Sequence, residues 1–316
     1  MLFLKKIFSC GVQILLILFL CSCQTHYVVE SQLTYTPAAE NFSNLSSCFK
    51  PLSQEELSQD WAKELLIANT FAHEADFYRA ITSYKRALIL GCEGSYRKKQ
   101  IEFGIIQSYY FGKKYQEAAD VFETSSIKES PKDFPALKEL LIVIYDSYLW
   151  TGQSERADYI LKLIENCDAE TATQLKTSSA LSKADFTALK CLSSNSTSLH
   201  DFLIEYERNK KSTKTAQTLN ALIPGAGYLY VGQKQTALTS FLINTLFIAA
   251  AYHFFQHNNP AAGIITTSLE MGWYFGGING AGLAAKVHNE QMYQNSARNY
   301  MMEHSLFPIL MFECAF

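Results

Sequence analysis

The chain lacks an excess of positive charge: 27 Lys and Arg stand against 30 Asp and Glu, a formal net charge of −3. It therefore has no basic field of the kind that grips a phosphate backbone, and nucleic acid is not expected as a partner. Catalytic signatures are missing as well. There is no Gly-rich phosphate loop, no HExxH, no GxSxG and no phased pair of acids outside the apolar segments, and the seven histidines are scattered. No catalytic residue, metal site or cofactor is expected, and the protein reads as non-enzymatic. The cysteines beyond the N-terminal segment (Cys48, Cys92, Cys167, Cys191 and Cys314) form no CxxC pair and show no metal-ligand spacing. In an exported chain Cys167 and Cys191 are the nearest candidates for a disulfide.

Charge is also absent from two long stretches near the C-terminus. Thr236 to Phe255 has no charged side chain, and Ala261 to Ala285 has one, Glu270. As helices, spans of about 235–255 and 261–285 are each long enough for roughly 30 Å of hydrocarbon. The break between them, Gln256-His257-Asn258-Asn259-Pro260, is a turn. Asn244 lies thirteen residues before His257 and Glu270 thirteen after it, so antiparallel helices bring the two to one depth. An ionisable group in lipid needs such a partner. Asn244 and Glu270 are therefore expected as an intramembrane polar pair, with Glu270 either pinning the hairpin structurally or serving a proton- or ion-responsive site. Gly263, Thr266, Thr267, Glu270, Trp273, Tyr274, Gly277 and Ala281 share one helical face. Gly272, Gly276, Gly280 and Ala284 form a second, small stripe at four-residue steps, a candidate for helix packing and self-association. Upstream, Pro224 removes an N–H and Gly225 and Gly227 permit positive φ, which predicts a sharp turn ahead of the first span.

At the other end, Lys5 and Lys6 precede an apolar core, Val12 to Leu20, of signal-peptide length. Leu20-Cys21-Ser22-Cys23 resembles the bacterial lipobox, which implies lipidation at Cys23 after removal of 1–22. Residues 23–54 are polar, carry Pro37 and Pro51, and read as a tether with little core of its own. Ser53-Gln54-Glu55-Glu56 has the pattern of a capping box.

From 55 to 212 the periodicity is helical, and a repeat runs through it. Ala80, Ala118 and Ala157 are its small anchors, 38 and 39 residues apart, with Phe77, Tyr84, Tyr115, Phe122 and Tyr148 as aromatic filling. A last helix pair, Ala172 to Leu192 and Ser198 to Lys211, caps it. The order of small and aromatic residues is similar to the tetratricopeptide (TPR) repeat, although the period exceeds that family's. The resemblance implies an all-α stack of helical hairpins with a groove for a protein partner. Asn69, His73, Gln107 and Asp146 are candidate groove residues, without the basic set of a carboxylate clamp. Residues 213–289 complete the fold as a Pro-Gly turn and membrane hairpin, and 290–316 form a tail.

Pro-Gly-x-Gly-Tyr-x-Tyr-x-Gly, Leu-Ile-Asn-x-Leu-Phe and Glu-Met-Gly-Trp-Tyr-x-Gly-Gly together resemble an uncharacterised family of exported bacterial proteins that join TPR-like repeats to a two-helix tail. That resemblance implies attachment to membrane lipid and assembly, and no reaction. The expectation is a membrane-anchored adaptor of the bacterial cell envelope, its repeat domain in the periplasm and binding an unidentified protein. The alternatives are a subunit of an assembly or transport machine working through Glu270 and Asn244, and a structural lipoprotein. The positive-inside rule opposes this topology, since Lys210, Lys211, Lys214, Lys234, Lys286 and Arg298 flank the hairpin; the first segment outranks it.

Overall fold

The computed structural model describes residues 33, 35–43, 45–92, 95–129 and 134–316. The expected signal segment and Cys23 lie outside the described residues. The fold is all-α apart from one short parallel strand pair, β1 (Ser46–Ser47) with β2 (Cys314–Ala315). The chain divides into two compact units, one of residues 31–210 with 291–316 and one holding 211–290.

The first unit opens with two short helices, α1 (Ala39–Ser43) and α2 (Gln54–Leu57). The capping box at Ser53 and Glu56 is present in both directions, 3.2 and 2.7 Å. Four helix pairs follow: α3 (Asp60–His73) with α4 (Phe77–Ile89), α5 (Ser95–Phe111) with α6 (Tyr115–Thr124), α7 (Leu137–Trp150) with α8 (Ser154–Cys167), and α9 (Ala169–Ser182) with α10 (Phe186–Leu192). A single helix, α11 (Thr197–Asn209), comes next. The expected capping pair is thus redrawn: Ala172 to Leu192 is two helices, broken at Lys183-Ala184-Asp185. The break is a capped turn, since the Asp185 carboxylate accepts from the N–H groups of Thr187 and Ala188.

One turn geometry recurs in all four pairs. Ala75, Lys113, Gly152 and Ala184 have positive φ. The next residue's N–H then reaches back five positions, from Asp76 to Phe71, Lys114 to Tyr109, Gln153 to Tyr148 and Asp185 to Ala180, at 2.8–2.9 Å. This pairing satisfies carbonyls that the helix end leaves open. Ala80, Ala118 and Ala157 are fully buried, as close helix approach requires. Tyr84 fills the gap to the next pair: its ring lies against Gly104, where a Cβ would come within 2.4 Å, and its hydroxyl donates to Asn69 Oδ1 at 2.7 Å.

The described part of the segment read as a tether instead enters this core. Phe42 is fully buried against Phe77, Phe111 and Phe316, and Phe49 packs on Tyr96, Phe103 and Phe134. Arg97, also buried, holds the same segment: its guanidinium donates to both Glu56 oxygens (2.7 and 3.0 Å), to the carbonyls of Lys50 and Pro51, and to Gln100. The disulfide joins Cys48 to Cys314, while Cys167 and Cys191 remain exposed thiols, so the expected short-range pair is not made. The C-terminal tail docks beside it, with Phe312 against Phe111, and Phe316 against Phe111 and the His73 ring.

The second unit is helical throughout: α12 (Thr213–Leu222), α13 (Ala226–Val231), α14 (Lys234–Gln256) and the start of α15 (Pro260–Glu303). The last part of α15 belongs to the first unit, where Tyr293 is buried among Phe186, Phe202 and Tyr206 and donates to the Leu181 carbonyl at 2.8 Å.

Candidate functional site

The buried residues of α14 are Ala237, Asn244 and Ala251, seven apart along one stripe. On α15, Gly263 and Glu270 are buried and Gly277 is half-buried at the same interval. Counted from His257, Ala251 matches Gly263, Asn244 matches Glu270 and Ala237 matches Gly277. Two helices with a seven-residue seam pack antiparallel along it. The contacts agree: the Phe255 ring lies within 2.7 Å of the Cβ position of Gly263, and Ser240 Oγ lies 3.9 Å from that of Gly277.

The seam is small or polar and the outside is large and apolar. Leu238, Phe241, Leu242, Leu246, Ile248, Tyr252 and Phe255 of α14 are exposed, as are Ile264, Ile265, Leu269, Met271 and Trp273 of α15. Continuous apolar exposure on this scale is foreign to a monomeric surface in water. By length and composition α14 is the one helix among the described residues fit to cross a membrane. The second expected span, 261–285, does not reach that standard: six glycines, Glu270 and Asn279 dilute it.

Asn244 and Glu270 are both buried, at 3% and 8% exposure, but no hydrogen bond joins them. Asn244 Nδ2 donates to the carbonyl of Ser240, one turn back on its own helix, at 2.6 Å. That leaves Asn244 Oδ1 and both Glu270 oxygens buried without a partner. Unpaired buried polar atoms are costly, so each such group needs an explanation.

The Pro-Gly turn packs as a cover on one end of the hairpin. Gly225 has φ of 91°, its N–H donates to Asn220 Oδ1 at 2.9 Å, and a Cβ there would lie 2.2 Å from the Ala237 carbonyl oxygen. At Gly227 a Cβ would meet the Ala216 carbonyl oxygen at 2.1 Å and Ala281 at 2.8 Å. Pro224 stands in the turn before them. Tyr274 donates to the Ala221 carbonyl, and the Asn289 amide both accepts from Lys211 N–H (2.7 Å) and donates to Lys211 O (2.9 Å).

The small stripe is split by this cover. Tyr228 lies over Gly280, and Ala284 is buried with Ala216, Val231, Ala281 and Ala285. Gly272 and Gly276 have nothing within 4 Å of their Cβ positions. They open onto a groove of about 490 Å³ whose wall on α14 includes Gln235, Thr239, Ser240 and Asn244.

In the first unit the candidate groove residues point into structure. Asn69 is bonded to Tyr84, His73 lies against Phe316, and Gln107 is fully buried with neither amide atom paired. Asp146 accepts from Tyr110 at 2.6 Å and Trp150 at 3.2 Å, and burial raises its carboxyl to about 6. His73 and Phe111, the last residues of α3 and α5, are covered by the chain's own Phe42, Phe312 and Phe316, and α7 packs against the Pro308–Met311 segment. Cys48, Glu139 and Cys314 bring potential ligand atoms within 4.8 Å of one another. The two sulfurs are bonded to each other, however, which leaves one carboxylate that accepts from the Glu313 N–H.

No family model matches the chain, and no curated protein or solved structure is similar to it.

Proposed function

We propose that the protein is a non-enzymatic, membrane-anchored scaffold of the bacterial cell envelope. In this reading both arms of the hairpin sit in the bilayer, and the TPR-like helix pairs present a surface to a partner protein. One observation carries it: the hairpin is inverted relative to a water-soluble helix pair, with glycine, alanine and amide inside and Leu, Ile, Phe and Trp outside. In water those outer side chains would stay hydrated at a cost; in lipid they are matched. Because the termini cover the first-helix ends, partner contact falls to the exposed outer residues Tyr78, Ile89 and Tyr159. The test is alkaline extraction of the full chain reconstituted in vesicles. Retention in the lipid pellet is expected, and release into the supernatant overturns the anchoring.

The assembly or transport reading has its own observation, the Glu270 carboxyl with both oxygens unpaired. Glu270→Gln removes a titratable proton and preserves shape. A cell in which this variant replaces the native chain without defect excludes that reading; a pH-dependent loss supports it.

A further inference from the structure

We infer that the open groove at Gly272 and Gly276 seats Trp273 of a second copy of this chain, and that the first copy's Trp273 fills the second copy's groove in return. The inference rests on the anchoring reading above, because it assumes that both copies enter the membrane in the same sense.

Three features meet on one face. The first is a hole. Gly272 and Gly276, one turn apart, present bare backbone with nothing within 4 Å of their Cβ positions, and the groove beside them encloses about 490 Å³. The same stripe is already used once inside the chain, where Tyr228 lies over Gly280. The hydroxyl end of an aromatic side chain is thus what meets a glycine of this helix where the cover is its own.

The second feature is a knob. Trp273 stands between the two open glycines, borders the same groove, and is 54% exposed. Its indole N–H makes no hydrogen bond among the described residues. In lipid, no water supplies an acceptor to such a donor.

The third is an acceptor. Thr239 borders the groove and is exposed, so its hydroxyl accepts an N–H brought by an occupant, whereas Asn244 Oδ1, although without a partner, is buried out of reach of the groove.

A second copy fits these features better than an unrelated helix. A two-fold contact uses one patch on both partners, so knob and hole must lie side by side on the same surface, as Trp273 and the glycines do. The patch must also tolerate its own image. None of the residues bordering the groove is charged, and Gln235, Thr236, Thr239, Ser240 and Asn244 each offer donors and acceptors, so the face meets itself without repulsion. With the two-fold axis along the bilayer normal, equal depths of the two copies come together. The indole of one copy then enters at the level of the other's Gly272–Gly276, and its N–H is directed at the Thr239 hydroxyl.

The test is the protein mass of the full chain in mild detergent across a dilution series, run beside the alkaline extraction of vesicles. The wild type is expected to hold two copies and to separate on dilution. Gly276→Leu puts a side chain into open space within its own copy, so helical content and vesicle retention stay at wild-type values while pairing is lost. Trp273→Phe keeps the ring and removes the N–H, and is expected to weaken pairing about tenfold. Leu246→Ala, on the exposed face away from the groove, leaves pairing unchanged. A wild type that stays a single copy at every concentration overturns the inference and leaves the groove to a lipid or a foreign helix. Two copies that persist in Gly276→Leu and Trp273→Ala overturn it as well. Release from vesicles with pairing intact would fail the anchoring reading alone; retention without pairing would fail only this one.

Discussion

Removing the Cys48–Cys314 bridge tests whether the chain ends are structural parts of the helical unit. The bridge spans 266 residues. In the chain-entropy treatment a closed loop of that length is worth about 5.6 kcal/mol at 25 °C, while measured bridges usually deliver about 2–4 kcal/mol. The figure is insensitive to what happens in between. If 211–290 stays folded while the rest unfolds, the flexible loop shortens to about 186 residues and the logarithm changes the term by only about 0.3 kcal/mol. The double variant Cys48→Ala, Cys314→Ala should therefore lose about 3 kcal/mol or more. With a slope of about 2–3 kcal/mol/M, the urea midpoint should fall by about 1–1.5 M. Fluorescence of Trp61 and Trp150 in the full chain in mild detergent follows the transition. A reducing agent should bring the wild type to the variant's midpoint and leave the variant where it is. Thiol labelling adds a check: Cys167 and Cys191 should react in the folded state, and Cys48 and Cys314 only after reduction. A midpoint that moves by less than about 0.2 M would refute the reasoning.

Arg97→Met should cost about 1–3 kcal/mol, because it removes the partner of the half-buried Glu56 carboxylate and of the Lys50 and Pro51 carbonyls; urea midpoints and faster proteolysis between residues 45 and 58 report it. The Arg97 guanidinium, with Ser53, holds the Glu56 carboxyl down to about 2 against an ordinary 4.5. A depressed carboxylate stabilises the fold above its ordinary range, and that contribution fades as pH falls from about 4.5 toward 2, so Arg97→Met should flatten this acid limb of the stability curve. Asp146 has the opposite sign. Its carboxyl is raised by burial to about 6 from 3.8, so it favours the fold at acid pH and that benefit is lost as pH rises through 6. Asp146→Asn should raise stability at pH 7.5 by about 1–3 kcal/mol and change little near pH 4; equal effects at both would exclude titration as the cause. Gly227→Ala places a methyl against the backbone oxygen of Ala216, which no rotamer change relieves. It should destabilise the turn by about 1–3 kcal/mol and open 223–232 to protease, and an unchanged digestion pattern would contradict the packing described.

How far the fold was legible depended on the range of the signal. Helix pairing was legible because each anchor alanine and its aromatics recur locally. The hairpin seam was legible because both arms count from one turn. Side-chain partners were not: depth placed Asn244 beside Glu270, but a side chain on a helix can bond its own previous turn, and Asn244 bonds Ser240. The disulfide escaped for a different reason. Cysteine spacing favours short loops, and the pair that forms is joined by aromatic packing of Phe42, Phe111 and Phe316, which no local pattern reports. The misplaced fourth pair did carry a signal. Ala75-Asp76-Phe77 and Ala184-Asp185-Phe186 are the same tripeptide, and in both the alanine takes positive φ while the aspartate caps the next helix. With no Gly or Pro the second copy reads as helix interior, since alanine is the best helix former. Matched to the first copy, it marks a turn. The test is to exchange Ala184 for Gly: at a left-handed position this removes a Cβ penalty and should leave stability level or raise it slightly, whereas in a continuous helix it would cost about 1 kcal/mol. A loss of that size would restore the unbroken helix over Ala172–Leu192.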